Sequence, residues 1–381
     1  MTESTKEADL KKLALHAEHQ AAGGHFGVFG DWYVPLYFTS VLDEHETVRT
    51  GVGVFDISHM GEFYVEGAGA RSAIDRWITN DVSKLYPGRA LYSPVCNARG
   101  GIVDDVIVYE LSAEQYLIVV NAGNIEKDFS WFQKHAHGTA KLRNASSETA
   151  LLAVQGPKSP DVIRALFDVD LSKLSYYHFT KLNSPFGELL LAQTGYTGET
   201  GFELLCAYDQ AAPLWKRLFE RGKPFGLKPI GFGARDTLRL EARYLLYGRD
   251  MTTKTSPLEA GLGWTIGWDK PDFIGKKALF KEREAGVQRR LVGFELKDRG
   301  IAREGAKIFA NGREVGQVTS GTFSPTLKKS IGLGYVSQKR TRVGQALALD
   351  IRSRLVPAEV VKTPFYSGRD KDTKKSKNRE A

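Results

Sequence analysis

The spacing of apolar residues predicts alternating strands and helices up to about residue 286. Short β-branched and aromatic runs bounded by Gly, Asn or Asp are typical of strands, whereas apolar residues three and four positions apart are typical of helices. Strands are predicted over residues 51–56, 62–65, 91–96, 102–109, 116–120, 150–155, 187–194 and 201–206. Helices are predicted over residues 40–50, 68–78, 121–135, 160–167, 211–219, 233–246 and 275–285. Leu238, Ala242, Leu245 and Leu246 would share one face of the helix over residues 233–246.

One part of this pattern has a recognisable order. Residues 62–141 run as strand, helix, a hairpin with a third strand, helix and the start of another strand. This order resembles the split βαβ arrangement of a ferredoxin-like domain.

The pattern changes after Gly286, where we place a domain boundary. Short alternating strands are predicted over residues 291–296, 306–310, 315–319, 330–336, 346–351 and 355–361. Asn311-Gly312 is a pair that favours a two-residue hairpin turn. The strand pattern therefore predicts a small all-β domain from Gln288 onward, a sandwich or jelly roll.

Two adjacent carboxylates interrupt the predicted strand over residues 102–109. Asp is depleted from strands because its short polar side chain competes with the backbone for hydrogen bonds, so Asp104 and Asp105 need an explanation. Since strand side chains alternate between faces, Asp105 shares a face with Ile107 and Tyr109, and Asp104 points the other way. The strand alone favours a simple interpretation, a turn-capping Asp beside a solvent-facing one.

A second polar group surrounds a glycine-rich turn. Residues 194–204 have three glycines around Tyr196 and Glu199, which predict a tight hairpin. The segment lacks the Lys-Ser/Thr ending of a phosphate-binding loop. Glu203 follows the turn, and Arg235 lies at the start of a predicted helix. The two side chains could form a structural ion pair, or they could offer a carboxylate and a guanidinium to a bound heterocycle and acid group.

Composition narrows the class of protein. The chain has 381 residues, enough for two or three domains. It contains no apolar run of about 18 residues, so no membrane span is expected, and its N-terminus lacks the apolar segment of a signal peptide. Only Cys96 and Cys206 occur, which gives no disulfide framework and no metal-ligand spacing and favours a cytoplasmic protein.

The net charge of +8 arises partly from the C-terminus, where residues 367–381 contain six basic and three acidic residues. This tail is predicted to be disordered, and it lacks the interleaved aromatic residues that would favour nucleic-acid binding. The sequence shows no Ser-His-Asp set and no histidine-based metal cluster. His59, which has no catalytic partner in its Ser-His-Met segment, is expected to form a structural hydrogen bond. The chemistry is therefore expected to come from a bound cofactor.

Nine short motifs, taken in order, resemble those of the glycine cleavage T-protein (aminomethyltransferase) family. Each is weak alone, but the ordered set is specific and extends from about Phe26 to Tyr366. The motifs are GVFDISHMG (53–61), ITNDV (78–82), GGIVDD (100–105), VNAGNIEKD (120–128), QGP (155–157), TGYTGE with FEL (194–204), GARD (233–236), RLE (239–241) and GTFSP (321–325).

This resemblance implies an α+β fold in which three domains form a cloverleaf around a central hole. One domain is discontinuous and β-rich, one is ferredoxin-like, and the C-terminal one is an all-β jelly roll or barrel. The implied boundaries are residues 1–59 with 146–248, residues 60–145 with 249–286, and residues 287–366, followed by the disordered basic tail of residues 367–381. The strand and helix pattern alone does not reveal the discontinuity.

The resemblance also implies an enzyme, a tetrahydrofolate-dependent aminomethyltransferase of the glycine cleavage system. The aminomethyl group arrives on the lipoyl arm of H-protein, ammonia is released, and tetrahydrofolate becomes 5,10-methylenetetrahydrofolate. Asp105 is implied as the catalytic carboxylate that orients the reacting folate nitrogens. No metal is implied. The implied folate-binding residues are Met60, Tyr92, Tyr109, Tyr176, Tyr177, Tyr196, Glu203 and Arg235, with Arg235 at the benzoyl-glutamate end.

One difference from the family and two alternative functions remain. Several relatives have a basic residue directly after Pro-Phe-Tyr near the C-terminus, whereas Ser367 follows Tyr366 in this chain and Arg369 comes two residues later. The alternatives are another folate-dependent demethylase or methyltransferase of the same fold, and a non-enzymatic folate-binding accessory protein. The complete motif set and the lack of a fused flavin domain disfavour the first. The lack of cysteine in residues 194–199 disfavours the second.

Overall fold

The structure is a computed structural model that describes residues 9–136 and 138–368. Apart from Ser367 and Gly368, the predicted disordered tail lies outside the described residues. The strands, numbered in chain order, are β1 (Lys11–Lys12), β2 (His25–Phe29), β3 (Trp32–Tyr37), β4 (Gly53–Asp56), β5 (Gly61–Glu66), β6 (Ala90–Cys96), β7 (Ile102–Ser112), β8 (Gln115–Val120), β9 (Lys141–Asn144), β10 (Thr149–Gln155), β11 (Phe179–Ser184), β12 (Gly187–Ala192), β13 (Gly201–Ala207), β14 (Lys228–Pro229), β15 (Arg289–Leu296), β16 (Lys307–Ala310), β17 (Arg313–Ser324), β18 (Lys329–Ser337), β19 (Ala346–Ile351) and β20 (Arg354–Val361).

The α-helices are short and alternate with these strands. They are α1 (His16–Ala21), α2 (Val41–Thr50), α3 (Ala70–Trp77), α4 (Ile125–His135), α5 (Ser159–Leu166), α6 (Ala211–Gly222), α7 (Phe232–Glu241) and α8 (Lys276–Ala285). Ser40 caps α2 as predicted, because its side chain accepts a hydrogen bond from the backbone N–H of Asp43. None of the helices in the described part of the chain is long and apolar enough to cross a membrane.

A six-stranded sheet with the order β11-β12-β13-β10-β4-β14 forms the first layer. The side chains of β13 alternate: Phe202 and Leu204 enter the core that α5 and α6 cover, whereas Glu203 and Leu205 point to the opposite face. Strand β11 was not predicted, because its sequence, Phe-Thr-Lys-Leu-Asn-Ser, belongs to an edge strand whose residues are mostly not buried.

A five-stranded sheet with the order β6-β7-β8-β5-β9 forms the second layer, and all its neighbouring strands are antiparallel. The crossover from β8 through α4 to β9 leaves β5 between them, which is the split βαβ unit of the predicted ferredoxin-like arrangement. Helices α3 and α4 cover one face, where Ile74, Trp77 and Phe132 pack against the sheet. The other face carries no helix of the described residues and packs against the six-stranded sheet.

Residues 289–361 form a closed barrel with the order β15-β18-β17-β16-β19-β20. The barrel implied by the resemblance is confirmed, and the sandwich suggested by the strand pattern is wrong. The two architectures have the same alternation of short strands, and closure depends on β15 pairing with both β18 and β20. The predicted hairpin at Asn311-Gly312 is confirmed, with φ angles of 52° and 73°.

The free faces of the two sheets pack against each other. On β8, Leu117 and Val119 point away from the helices and meet Leu151 and Ala153 of β10 in a shared core. This core does not fill the whole space between the sheets, and the remaining gap is the cavity described below.

Helix α7 ends at Glu241, so the prediction of a helix to Leu246 is wrong. Arg243 has a left-handed backbone with a φ of 58°, which breaks the helical path. The carboxylate of Asp250 then accepts a hydrogen bond from the N–H of Leu246 at 3.0 Å and fixes the turn that follows. Leu245 and Leu246 are apolar because they line the cavity, and their spacing from Leu238 only resembles that of one helical face.

A buried ion pair fixes this turn to the barrel. Arg239 donates to Asp250 Oδ2 at 2.6 Å through Nη1 and to Ser320 Oγ at 2.9 Å through Nη2. Asp250 Oδ1 accepts from the hydroxyls of Thr319 and Ser320 at 2.5 and 2.8 Å. Since Ser320 and Thr319 belong to β17, one network joins α7, the turn after it and the barrel.

We expect Asp250→Ala to lower the free energy of unfolding by about 3 kcal/mol, because it removes the buried carboxylate of Arg239 and leaves only its ion pair with the partly exposed Asp236. Urea denaturation followed by circular dichroism measures the loss. Glu220→Ala is the matched control, because Glu220 forms an exposed ion pair with Arg217 that contributes at most about 1 kcal/mol. Equal losses in the two variants would contradict the structural role of the Arg239–Asp250 pair.

Candidate active site

A cavity of about 410 Å³ lies between the two sheets, and the turn after α7 closes one side of it. Eight of the nine predicted site residues line it: Met60, Tyr92, Asp105, Tyr176, Tyr177, Tyr196, Glu203 and Arg235. The ninth, Tyr109, is buried behind the wall, where its ring packs edge-on against Phe179. Asp105 and Ile107 of β7 reach the cavity, but the same strand face continues at Tyr109 into the packed core between the sheets.

Two hydrogen bonds hold the carboxylate of Asp105 at the cavity wall. Tyr92 Oη donates to Asp105 Oδ2 at 3.0 Å, and Asn121 Nδ2 donates to Oδ1 at 2.8 Å. Tyr92 comes from the neighbouring strand β6, and Asn121 directly follows β8 on the other side. Three adjacent strands of a rigid sheet therefore fix the position of this group.

Asp104 is fully buried on the opposite face, so the simple interpretation with a solvent-facing carboxylate is wrong. Its two oxygens accept hydrogen bonds from the backbone and side chain of Asn121 and from the side chain of Asn124. Asp128 of α4 lies beside it, and burial together with the negative charge of Asp104 raises the pKa of Asp128 far above the usual range. Asp104 therefore lies directly behind Asp105, on the opposite face of β7.

The surroundings of Asp105 change its acidity. Burial and the negative charge of Asp104 raise the pKa of Asp105 to about 7, while the hydrogen bonds from Tyr92 and Asn121 oppose the increase. A group of this kind can both accept and return a proton during a reaction.

Glu203 and Arg235 lie together at another part of the wall. Burial raises the pKa of Glu203, and the nearby Arg235 opposes this shift. Thr194 Oγ1 donates to Glu203 Oε2 at 2.5 Å. No ion pair within 4 Å joins Arg235 to a carboxylate of a described residue, so the suggested Glu203–Arg235 ion pair is not formed. The guanidinium instead stacks on the ring of Tyr196, with 4.5 Å between Cζ and the ring centroid.

Aromatic side chains form much of the remaining wall. Tyr196 and Tyr244 stack with 5.7 Å between their ring centroids, and the hydroxyl of Tyr244 lies 3.3 Å from that of Tyr176. Tyr92 stacks on Trp264 at 6.0 Å. Trp264 is 67% exposed and Tyr176 is 44% exposed, so these two rings mark the opening of the cavity to solvent.

Sequence reasoning missed several residues of the wall. These are Asn121, Arg243, Tyr244, Leu246, Trp264, Thr363 and Pro364, among others. Asn121 lies inside a recognised motif and could have been found. Tyr244 and Arg243 could not, because the predicted helix to Leu246 gave them no special position.

Two further expectations concern histidine and metals. The His59 ring packs edge-on against Phe232 with 4.9 Å between ring centroids. Burial and the charge of Arg235 lower the pKa of His59 to about 3, so its imidazole is neutral. Within residues 9–136 and 138–368, no group of three or more His, Cys, Asp or Glu side chains could hold a metal ion.

Comparisons with known proteins cover nearly the whole chain. Residues 15–270 match the family described as the GCVT N-terminal domain, and residues 289–367 match the glycine cleavage T-protein C-terminal barrel domain. The aminomethyltransferase of Halothermothrix orenii is 47% identical over 356 residues, which are 93% of this chain and all of that protein. The aminomethyltransferase of Bacillus subtilis is 45% identical over 359 residues, 94% of this chain and 99% of that protein.

A solved structure has the same fold. The crystal structure of glycine cleavage system aminomethyltransferase T from Bartonella henselae superposes with a TM-score of 0.89 at 33% identity. The match covers 94% of this chain and 99% of that one.

We expect Asp104→Asn to lower the pKa of Asp105, because it removes the negative charge behind the carboxylate. Carboxyl-carbon NMR titration of aspartate-labelled protein measures this shift, with the Asp105 signal assigned by its loss in Asp105→Asn. Asp161→Asn, an exposed change on α5, serves as control and should leave the titration unchanged. An unchanged or raised Asp105 midpoint in Asp104→Asn would contradict the electrostatic coupling.

Proposed function

Because the chain belongs to the glycine cleavage T-protein family and is an aminomethyltransferase, we propose that its one-carbon acceptor is tetrahydrofolate, bound in the cavity between the two sheets. The donor is the aminomethyl group on the lipoyl arm of H-protein. The products are ammonia, the reduced lipoyl thiol and 5,10-methylenetetrahydrofolate.

The polar groups of the wall support a pterin as ligand. The amino-oxo edge of a pterin carries N–H donors beside a carbonyl oxygen, so it needs a carboxylate next to a cationic donor. Glu203 and Arg235 provide this pair, and neither is tied up in an ion pair with the other. Because both residues line the same cavity and the charge of Arg235 acts on the Glu203 carboxylate, we propose that both contact the pterin; the benzoyl-glutamate role that the resemblance implies for Arg235 stays a prediction.

The shape and lining of the cavity support the same ligand. A volume of about 410 Å³ lies in the usual range for small-molecule sites. The stacked rings of Tyr196 and Tyr244 and the aliphatic side chains of Ile57, Met60 and Leu151 suit a flat, largely apolar body.

Asp105 is the residue that we assign to catalysis, and its position is the observation that carries the proposal. When bound, tetrahydrofolate supplies two nitrogens that take up the one-carbon unit. In its ionised form Asp105 stabilises positive charge at a reacting nitrogen, and with a pKa of about 7 it can take a proton from that nitrogen and return it. Tyr92 and Asn121 keep the carboxylate in one orientation while this happens.

The opening of the cavity supports entry of a carrier-borne donor. Trp264 and Tyr176 are exposed at the cavity wall, and Trp264 stacks on Tyr92, which in turn contacts Asp105. A thin lipoyl arm that passes Trp264 would therefore bring its aminomethyl group towards Asp105. We infer that H-protein docks around this opening.

The predicted domain boundaries also stay a proposal. The six-stranded sheet combines β4 with strands from β10 to β14, whereas the five-stranded sheet takes only β5 to β9. This membership supports a first domain of residues 1–59 with 146–248 and a second that contains residues 60–145. The relatives described above are aminomethyltransferases, and no feature of the cavity favours the demethylase or accessory-protein alternative.

We expect Asp105→Asn to lower turnover by about 10²–10⁴-fold while the protein stays folded, because the amide cannot stabilise positive charge or accept a proton. The assay supplies aminomethyl-loaded H-protein and tetrahydrofolate and measures ammonia and methylenetetrahydrofolate. Asp161→Asn is the control with unchanged turnover. Wild-type turnover by Asp105→Asn would overturn the catalytic assignment, and no folate-dependent product from the wild-type protein would overturn the proposed substrates.

A further inference from the structure

Two cationic side chains occur among the cavity-lining residues that the structure describes, Arg235 and Arg243. Arg235 has a place in the site described above. Arg243 lies in the turn after α7, between Ala242 and Tyr244, and no role has yet been given to it. Arg243 differs from the buried Arg239 and Arg49 in three ways: it has a left-handed backbone, a glycine faces its guanidinium, and it forms no ion pair with a carboxylate of the described residues.

The backbone of Arg243 is left-handed, with a φ of 58°. This conformation is unfavourable for a residue with a Cβ atom, and glycine would adopt it without strain. The neighbouring chain accommodates the side chain: a Cβ atom on Gly261 would lie 2.6 Å from Arg243 Nη2. A residue that keeps an unfavourable backbone conformation, with a glycine beside it that leaves room for its side chain, is typical of a functional position.

The guanidinium of Arg243 lacks a carboxylate partner among the described residues. Nη2 donates to the carbonyl oxygen of Ala260 at 3.3 Å, and the buried Nε has no hydrogen-bond partner. By contrast, the buried Arg239 and Arg49 each form ion pairs with carboxylates, to Asp250 and Glu241 respectively. An arginine in a cavity with free donor capacity is suited to an anionic ligand.

The charged groups around Arg243 point to the same conclusion. Asp250 is the acidic group near it, but both Asp250 oxygens are already bonded to Arg239 and the barrel hydroxyls. Tyr335 and Tyr92 are also near, and they are neutral because burial raises their pKa values. Arg290, which is exposed and positively charged, also acts on Arg243. Two neighbouring cations without a free carboxylate favour binding of an anion.

Arg243 and Arg235 have different charged and aromatic neighbours in the cavity wall. Arg235 is surrounded by Tyr196, Glu203 and Asp236, whereas Arg243 lies near Tyr92, Tyr335 and Arg290. If Glu203 and Arg235 hold the pterin, the acid groups of the same ligand must lie elsewhere. The acid groups of tetrahydrofolate are the carboxylates of its glutamate moiety.

We propose that Arg243 binds a carboxylate of the glutamate moiety of the folate and so determines the preference for glutamate-bearing acceptors. This proposal rests on the function proposed above, since it takes tetrahydrofolate as the ligand. Arg243 is a binding residue and touches neither the reacting nitrogens nor the donor.

The test compares two ligands that differ only in the acid end, tetrahydrofolate and tetrahydropteroate, which lacks the glutamate. Quenching of protein fluorescence measures both dissociation constants for the wild type and for Arg243→Gly. We expect the wild type to bind tetrahydrofolate at least about tenfold more tightly than tetrahydropteroate, as a charge-assisted hydrogen bond would give. Arg243→Gly should lose this preference and bind tetrahydropteroate as the wild type does.

A matched control separates charge from backbone strain. Arg352, in the exposed hairpin between β19 and β20, also has a left-handed backbone, with a φ of 54°. Arg352→Gly relieves the same kind of strain far from the ligand and should leave both dissociation constants unchanged. Arg243→Gln keeps the strain but removes the charge, so it should lose the preference as Arg243→Gly does.

The possible results distinguish this proposal from the proposed function. A wild-type protein that binds both ligands equally, or an Arg243→Gly variant that keeps the preference, would overturn the role of Arg243 alone. A wild-type protein that binds neither ligand would overturn the folate site and this proposal with it. Loss of the preference in both Arg243 variants, with Arg352→Gly unchanged, would establish the proposal.

Discussion

The cavity depends on one buried ion pair, between Arg239 and Asp250. Arg239 lies in the last turns of α7, and Asp250 lies nine residues after the end of that helix. Because Asp250 also accepts hydrogen bonds from Leu246 and from Thr319 and Ser320 of the barrel, the chain between them must leave the helix and turn back. This turn carries Arg243, Tyr244 and Leu246 into the cavity wall, so the helix end, the barrel position and the binding site share one electrostatic constraint.

A second pair of charges gives the site its chemistry. Asp104 and Asp105 are adjacent, yet strand alternation sends one to the helix-covered core and the other to the cavity. The side-chain amide of Asn121 donates a hydrogen bond to each carboxylate and so fixes their relative positions. Burial, together with the charge of Asp104 behind it, raises the pKa of Asp105 into the range that proton transfer at neutral pH requires.

The sequence predicts those features that local patterns determine. Alternation identified the two faces of β7, the Asn311-Gly312 pair identified a hairpin, and Ser40 identified the start of α2. Local patterns did not predict the features that tertiary contacts determine. The end of α7 depends on Asp250 and the barrel, the burial of Tyr109 depends on Phe179 from a distant strand, and the closure of the barrel depends on the pairing of β15 with β20. The family resemblance, and no local pattern, brought eight cavity residues together in advance.

We propose that the cavity orients a folate between Asp105 and the pair formed by Glu203 and Arg235. A crystal structure of the protein with tetrahydrofolate tests it most directly. We expect a reacting nitrogen within about 3.2 Å of an Asp105 carboxylate oxygen, and the amino-oxo edge of the pterin in contact with Glu203 and Arg235. A folate bound outside this cavity, or bound inside it with the pterin turned away from Glu203, would show that these residues do not orient the folate.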